Sequence, residues 1–168
     1  MANIFLIGFM GTGKSAISNY IGEHYGMTVV EMDETIEANE GMSIKDIFAK
    51  KGEAYFRNLE TELLKDVGLK DNVVVSCGGG VPMREENVQV MKESGVTVLL
   101  TATPETVYNR VCHSTNRPLL NGNMSVEYIA DLLEQRREKY EKAADFSVVT
   151  DDRKKGDIAQ EIIHKISN

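Results

Sequence analysis

Eight consecutive residues near the start of the chain have the types and the spacing that bind phosphate groups. The run Gly8-Phe9-Met10-Gly11-Thr12-Gly13-Lys14-Ser15 fits the pattern G-x-x-x-x-G-K-[ST] at every fixed position. Its glycines permit backbone conformations in which successive N–H groups point at phosphate oxygens. Lys14 is then predicted to reach the β and γ phosphates of a nucleotide, and the Ser15 hydroxyl to bind Mg²⁺. A glycine-rich turn that matches by chance is the alternative, and the completeness of the motif disfavours it.

Two carboxylates follow the second apolar run of the chain. Glu31 and Asp33 are two residues apart, and in an extended segment that spacing points both side chains the same way. They would lie at the carboxyl end of a strand, which is the side on which open parallel sheets bind ligands. A polar strand end that caps a helix is the alternative. Because a phosphate-binding motif is present, we expect the carboxylate for the metal to be one of these two.

Two further features indicate an anionic co-substrate. Glu53 and Glu60 lie four residues before and three residues after Arg57, so on a helix they could hold its guanidinium in one orientation for a carboxylate. The run Gly78-Gly79-Gly80 follows an apolar strand and would leave backbone N–H groups open to a ligand. Taken alone, the spacing around Arg57 is more typical of a solvated ion pair on a helix, and the glycine run is more typical of a strained turn.

Short apolar runs alternate with helical patterns, and these elements must position the candidate residues. The predicted strands are 4–7, 27–32, 73–76, 96–100 and 146–149. The predicted helices are 15–25, 35–69 with breaks at 41–43 and 52, 85–93, 104–111, 125–142 and 157–166. An acidic turn at 33–34 is expected to close the second strand. This alternation predicts an α/β fold in which helices cover both faces of a parallel sheet.

Composition and charge restrict the class of protein. The 168 residues, 42% of them hydrophobic, are enough for one sizeable core, which favours a single domain over 1–168. The net charge of −7 disfavours nucleic acids and anionic membranes as partners, so an anionic substrate needs local cations. Cys77 and Cys112 have no metal-binding spacing. Without a leader-like or membrane-spanning pattern, the expectation is a cytoplasmic protein with reduced thiols.

These motifs together resemble those of shikimate kinases along nearly the full length of the chain. Besides the phosphate loop, the matching pieces are 32–37 with Asp33, 47–48, 52–60 with Arg57, 78–81, 117–120, and Arg136 followed by Tyr140 and 144–145. The resemblance implies a P-loop NTPase of the nucleoside-monophosphate-kinase type with a five-stranded parallel sheet. It implies ATP-dependent phosphorylation of the 3-hydroxyl of shikimate in aromatic amino-acid and chorismate biosynthesis.

The resemblance also implies roles for individual residues. The catalytic residues would be Lys14, Asp33 and Arg117, with Asp33 as the best-placed base. The nucleotide would be bound by Gly11, Thr12, Gly13, Lys14, Ser15, Ala16, Arg110, Arg117 and Arg153. Shikimate would be bound by Asp33, Phe48, Phe56, Arg57, Gly79, Gly80 and Arg136. The metal, Mg²⁺, would be bound by Ser15 and Glu31.

The resemblance also implies two functional segments, and this chain differs from the family at one position near the metal. A substrate-binding insertion is expected at about 33–70, and a lid at about 112–124 that brings Arg117 to the transferred phosphate. We expect a monomer whose partners are ATP and shikimate. The family usually has Asp where this chain has Glu31, so the acid near the metal is one methylene longer.

Other nucleotide-binding classes fit the sequence less well. A guanine-nucleotide switch needs an Asn-Lys-x-Asp motif, and no Asn precedes a Lys in this chain. Another small-molecule kinase, such as one acting on gluconate, would keep the phosphate loop but not the set formed by Arg57, the glycine run and Arg136. A regulator that binds ATP without turnover is the non-enzymatic alternative.

Overall fold

The computed structural model describes residues 2–112 and 125–168. Arg117 and most of the expected lid, 113–124, lie outside the described residues, so the expectations for them stay predictions.

Five strands in the described part of the chain form one parallel sheet. They are β1 (Asn3–Ile7), β2 (Thr28–Glu31), β3 (Val73–Ser76), β4 (Gly95–Thr101) and β5 (Phe146–Val149). Their order is β2-β3-β1-β4-β5, and every neighbouring pair is parallel. The predicted five-stranded parallel sheet is confirmed.

Helices connect these strands. They are α1 (Lys14–Tyr25), α2 (Met32–Glu40), α3 (Ile44–Lys51), α4 (Glu53–Gly68), α5 (Glu85–Ser94), α6 (Pro104–Val111), α7 (Val126–Ala143) and α8 (Lys155–Ser167), with a 3₁₀ helix at Val81–Met83. None of the helices described is both long and apolar enough to cross a membrane.

Side-chain caps begin three of these helices where the sequence indicated a start. The hydroxyls of Ser43, Thr103 and Ser125 each accept a hydrogen bond from the backbone N–H three residues later. Each bond satisfies one of the donors that a helix leaves unpaired in its first turn. The predicted starts of α3, α6 and α7 are confirmed.

The alternation of side chains along β1 divides the core between the two faces of the sheet. Ile4 and Leu6 pack against α1 and α8 on one face. Phe5 and Ile7 pack against α4, α5, α6 and α7 on the other. All four are fully buried, which is why β1 is a continuous apolar run rather than an alternating one. Helices therefore cover both faces, as predicted.

The turn predicted after β2 is wrong, because α2 begins directly at Met32. Met32 is fully buried, and a helical start is what turns this side chain into the core. Asp33 and Glu34 then occupy the first helical turn, where the helix dipole favours negative charge. Asp33 is therefore helical, and the extended i, i+2 geometry expected for Glu31 and Asp33 does not apply.

Three consecutive helices, α2, α3 and α4, pack together beside the sheet. Ile36 on α2, Ile47 on α3 and Phe56 on α4 form a separate small apolar cluster. The breaks between these helices are at Gly41 and Gly52, which have φ of 68° and 88°. Because non-glycine residues are strained in that region, the glycines allow the sharp changes of direction that pack the three helices together.

Candidate active site

A cleft of about 560 Å³ opens above the carboxyl ends of β1 and β3. After β1 the chain passes to α1 on one face of the sheet, and after β3 it passes to α5 on the other, so the crevice lies where ligands bind in open parallel sheets. The predicted site residues that line it are Gly11, Gly13, Lys14, Ser15, Glu31, Asp33, Phe48, Phe56, Arg57, Gly79, Gly80, Arg110 and Arg136. Of the remaining predicted residues that the structure describes, Thr12, Ala16 and Arg153 are not part of this lining.

The phosphate loop is held in shape by its own hydrogen bonds. Thr12 is buried and its hydroxyl donates to the Phe9 carbonyl at 2.7 Å. The Lys14 ammonium donates to the carbonyls of Gly8 and Phe9 at 2.7 and 3.0 Å. Gly13, with φ of 100°, precedes the first residue of α1. The loop thus places a lysine charge and a helix N-terminus at one end of the cleft, which is the combination that binds phosphates.

Ser15 and Glu31 meet where a metal is expected. The hydroxyls of Ser15 and Ser76 lie beside the Glu31 carboxylate and favour its charged form. Burial raises the pKa of Glu31, the two hydroxyls oppose that shift, and the neighbouring charge of Asp33 adds to it. No cluster of three or more metal-binding side chains occurs in 2–112 or 125–168. A hydroxyl and one carboxylate nevertheless suit Mg²⁺, which takes most of its other oxygen ligands from phosphates and water.

Arg57 is fixed at the other end of the cleft by the two acids that its sequence spacing indicated. Its Nη1 donates to Glu60 Oε1 at 2.8 Å, while Nε and Nη2 donate to Glu53 Oε2 at 3.3 and 3.2 Å. The guanidinium carbon lies 5.3 Å from the ring centre of Phe56 and 6.0 Å from that of Phe48. The two rings therefore pack against the cation as well as lining the cleft.

Glu60 is the buried partner of this pair. It is 1% exposed, and its Oε2 has no hydrogen-bond partner among the described residues. Burial raises the pKa of Glu60 to about 6, although the charge of Arg57 opposes the shift. The sequence indicated the ion pair but not this burial, which comes from the packing of α4 against the glycine run.

The three glycines make room for charged side chains, which the sequence did not indicate. A Cβ at Gly80 would lie 2.5 Å from Arg57 Nη1, and one at Gly78 would lie 2.6 Å from Glu60 Oε2. A Cβ at Gly79 would lie 3.2 Å from Arg136 Nη1. Any larger residue would push one of these groups away, so the run is glycine because the cleft's charges lie directly against its backbone.

Arg136 reaches the same run from α7, through a tyrosine that sequence reasoning gave no role. Its Nη1 donates to the Tyr140 hydroxyl at 3.3 Å, and that hydroxyl donates to the Gly79 carbonyl at 2.7 Å. The guanidinium carbon also lies 5.6 Å from the ring centre of Phe9. Burial raises the pKa of Tyr140, and the charge of Arg136 opposes that shift. The only signal in the sequence was the i, i+4 spacing of the two residues.

Arg110 and Arg153, which were both expected to bind the nucleotide, lie in different places. Arg110 lines the cleft and donates to the Gly11 carbonyl at 2.9 Å and to the Thr150 carbonyl at 3.1 Å. It thereby joins the phosphate loop to the segment after β5. Arg153 instead donates to the Val149 carbonyl and pairs with Glu161 of α8 at 2.9 Å. A nucleotide contact by Arg153 would require this ion pair to open, and its role stays a prediction.

Both cysteines of the chain are free thiols. Cys77 is buried at the end of β3 beside the glycine run, and burial is the main cause that raises the pKa of its thiol far above the ordinary value. Cys112 is partly exposed at the end of α6. The thiol in the cleft is therefore protonated and takes no part as a nucleophile.

Comparison with known proteins gives consistent matches over the whole chain. A family model described as shikimate kinase matches residues 10–167. The shikimate kinase of Thermodesulfovibrio yellowstonii is 41% identical over 163 residues, which are 97% of this chain and 94% of that protein. That of Persephonella marina is 40% identical over 166 residues, with 99% of each chain covered. Among solved structures, the shikimate kinase from Acinetobacter baumannii in complex with shikimate has a TM-score of 0.94 and 32% identity, covering 99% of this chain and 93% of that chain.

Proposed function

This chain belongs to the shikimate kinase family, and on that premise we propose how its cleft carries out the family's reaction, the transfer of the γ-phosphoryl group of ATP to the 3-hydroxyl of shikimate. The single observation that carries the proposal is the pair Arg57 and Arg136 on either side of the glycine run, in the same cleft as Lys14. A phosphate site and a carboxylate site therefore face each other across a space suited to a small polyhydroxy acid.

Arg57 and Arg136 bind the carboxylate of shikimate. The Arg57 guanidinium is held by Glu60 and Glu53, and a guanidinium with fixed orientation binds a carboxylate with two parallel hydrogen bonds. These local cations offset the overall charge of −7, which by itself would repel the substrate. The rings of Phe48 and Phe56 line the cleft beside them and exclude water from the ring of the acid.

Asp33 orients the reacting hydroxyl. A Cβ at Gly78 would lie 3.2 Å from Asp33 Oδ1 and 2.6 Å from Glu60 Oε2, so Asp33 is close to the carboxylate end of the cleft. Its charge also acts on Glu31, which lies beside Ser15 of the phosphate loop. The hydroxyl oxygen forms a bond to the γ-phosphorus, the bond from that phosphorus to the β–γ bridging oxygen breaks, and Asp33 accepts the hydroxyl proton. Because the transition state is loose, orientation matters more than the strength of this base.

Positive charge on the nucleotide side stabilises the transferred group. Lys14 exchanges its loop carbonyls for the β and γ phosphates, and the loop's N–H groups bind the other phosphate oxygens. Ser15 and Glu31 would hold Mg²⁺, which when bound neutralises phosphate charge and orders the β and γ groups. Arg110 orders the phosphate loop through its hydrogen bond to the Gly11 carbonyl. Arg117 would add charge at the γ phosphate, a role that rests on the family resemblance.

The remaining parts of the proposal concern partners and location. We expect a cytoplasmic monomer of one domain, with a substrate-binding insertion at about 33–70 and a lid at about 112–124. Two free thiols support a reducing compartment. Leu69 and Val149 are the large apolar side chains exposed on the described surface, and they lie on different elements, which supports a monomer.

An ADP-release assay with ATP, Mg²⁺ and shikimate tests this function. We expect ADP formation that depends on shikimate, and phosphate on the 3-hydroxyl by phosphorus NMR of the product. Matched reactions contain gluconate, or no acceptor. ADP formation with gluconate but not shikimate would indicate a different kinase, and ATP binding without turnover would indicate a regulator.

A further inference from the structure

A series of three hydrogen-bonded polar side chains, two of them buried, joins the glycine run to the helix that carries Arg57. It consists of Arg84 at the start of α5, Thr61 on α4 and Asn87 on α5. Thr61 and Asn87 are 3% and 2% exposed, and none of the three lines the cleft. Buried polar groups of this kind destabilise a fold unless they are hydrogen-bonded, so their contacts indicate what they hold in place.

The direction of each hydrogen bond follows from the Val81 carbonyl. A carbonyl only accepts, so the nitrogen of the Asn87 amide must face Val81 O, at 3.0 Å. The amide oxygen then faces the Thr61 hydroxyl at 2.8 Å, and that hydroxyl donates to it rather than to the Arg57 carbonyl, which lies farther away at 3.2 Å. The lone pair of the hydroxyl accepts from Arg84 Nη1 at 3.0 Å. These donors and acceptors therefore have one arrangement, and removal of the Thr61 hydroxyl leaves the Asn87 amide oxygen without its donor.

The two ends of this hydrogen-bonded series lie at the two parts of the carboxylate site. Val81 directly follows Gly80, against whose backbone the Arg57 guanidinium lies. At the other end, Arg84 Nη1 also donates to Asn58 Oδ1 at 3.0 Å and approaches the Arg57 carbonyl at 3.4 Å. The same side chains thus bind the loop on one side of the guanidinium and the backbone of the residue that bears it.

We propose that Thr61 and Asn87 are positioning residues, which set the distance between the glycine run and Arg57 and so determine how well shikimate is bound. This inference rests on the proposed carboxylate site and deepens it. Neither residue touches the substrate. They act through Arg57 and the backbone of Gly80. A displacement of these two groups by about 1 Å would be enough to lower the activity by up to ~10²-fold.

Thr61→Val is the first test, because valine keeps the shape of the side chain and only replaces the hydroxyl with a methyl group. We expect the KM for shikimate to rise about tenfold, a part of the loss that such a displacement can cause, while the KM for ATP stays within about twofold. Thr61→Ser restores the hydroxyl and should return the KM for shikimate to within about twofold of the wild type. A purely structural role would not separate the two substrates.

Asn87→Asp is the second variant, and Asn3→Asp is its matched control. An aspartate can accept from Thr61 but faces the Val81 carbonyl with a second acceptor. Asn3 is also a buried amide between two backbone groups, accepting from Val73 N at 3.0 Å and donating to Lys70 O at 2.7 Å, at the far end of β1 from the cleft. Both aspartate variants should lower Tm, and only Asn87→Asp should raise the KM for shikimate.

Three outcomes would overturn the inference. They are an unchanged KM for shikimate in folded Thr61→Val, an equal rise in the KM for ATP, or the same rise in Asn3→Asp. If Asn87→Asp does not fold, the Thr61→Val and Thr61→Ser pair decides. A wild type without shikimate-dependent ADP formation would overturn the proposed function and this inference together, whereas an active wild type with an insensitive Thr61→Val would overturn the inference alone.

Discussion

Burial raises the pKa of Glu60, which is unusual for a carboxylate beside an arginine. The ion pair with Arg57 favours the charged form, yet burial is the larger effect and raises the pKa of Glu60 to about 6. Its ionisation therefore takes place within the pH range in which kinases are assayed. Because Glu60 orients Arg57, the capture of an anionic substrate should depend on this ionisation.

We predict that kcat/KM for shikimate falls as the pH decreases through about 6. Protonation of Glu60 removes a charge-assisted hydrogen bond to Arg57, so the loss should reach about tenfold. A pH profile of kcat/KM measures it. Glu60→Gln should remove this inflection, and Glu53→Gln, on the exposed side of the same guanidinium, should retain it. An inflection that persists in Glu60→Gln would assign it to another group.

The stability of the protein should respond to Glu60 in the opposite direction. Its folded-state pKa of about 6 is above the ordinary 4.5, so the folded state binds this proton more tightly than the unfolded state does. The contribution of Glu60 to the free energy of unfolding is then fully present below pH 4.5 and is lost as the pH rises through 6. Substrate capture and stability therefore favour different protonation states of one residue.

A second prediction at the residue scale concerns the dependence of activity on Mg²⁺ in variants of Glu31. If its carboxylate helps to hold Mg²⁺ with Ser15, Glu31→Ala should raise the Mg²⁺ concentration needed for half-maximal activity by about 10- to 100-fold. Glu31→Asp, with one methylene fewer, should change it only modestly. Titration of Mg²⁺ at fixed ATP measures both. An unchanged titration for Glu31→Ala would remove Glu31 from the metal site.

Among the elements, the glycine run determines where two guanidinium groups can lie. Gly80 has φ of −90°, a value that alanine adopts without strain. The conflict of an added Cβ is with the end of the flexible Arg57 side chain. Substitution at Gly80 should therefore displace the cation while leaving the backbone as it is.

We predict that Gly80→Ala raises the KM for shikimate about tenfold or more, since charge-assisted hydrogen bonds contribute ~1.5–3 kcal/mol, with little change in Tm. Steady-state kinetics and thermal unfolding measure the two effects. Gly26→Ala is the matched control, because Gly26 has φ of 71° and open space around its Cβ position. It should lower the free energy of unfolding by ~1 kcal/mol and leave both KM values unchanged. A Gly80→Ala variant with the kinetics of the wild type would show that Arg57 need not lie against this backbone.

At the scale of the whole molecule, the proposed nucleotide end and the proposed acid end of the cleft are built by different elements. Lys14 begins α1, whereas Arg57 lies on α4 and Arg136 on α7. A ligand that binds only the folded state stabilises it by ~2.7 kcal/mol at a concentration of 100 Kd. For a protein of this size, that amounts to a rise in Tm of about 5–10 °C.

We predict that ADP and shikimate each raise Tm, and that point substitutions separate the two effects. Arg57→Lys should lose most of the rise caused by shikimate and keep the rise caused by ADP, because a lysine cannot reproduce the guanidinium fork. Lys14→Met should show the reverse pattern and lack turnover. Thermal unfolding with each ligand alone measures this. Loss of both rises in either variant would mean that the substitution damages the fold rather than one end of the cleft.

The parts of the molecule that the sequence predicted are those encoded by neighbouring residues. The strand β1 is a continuous apolar run because both of its faces are buried, and the ion pairs of Arg57 follow from spacing on one helix. The start of α2 at Met32 was missed because it is decided by packing against the core. The contact of Thr61 with Asn87 was missed as well, since a hydrogen bond across 26 residues leaves no local pattern. The ion pair of Arg153 with Glu161 joins two residues that also lie outside the i, i+3 and i, i+4 spacings of one helix.

The different surroundings of the two thiols allow site-specific labelling of the unaltered protein. Cys77 is buried and protonated, whereas Cys112 is partly exposed at the end of α6, where the predicted lid begins. Because alkylating reagents react with accessible thiolates, a maleimide fluorophore should attach to Cys112 alone. Its emission could then report, in real time and without substitution, whether the two substrates together change the surroundings of that segment.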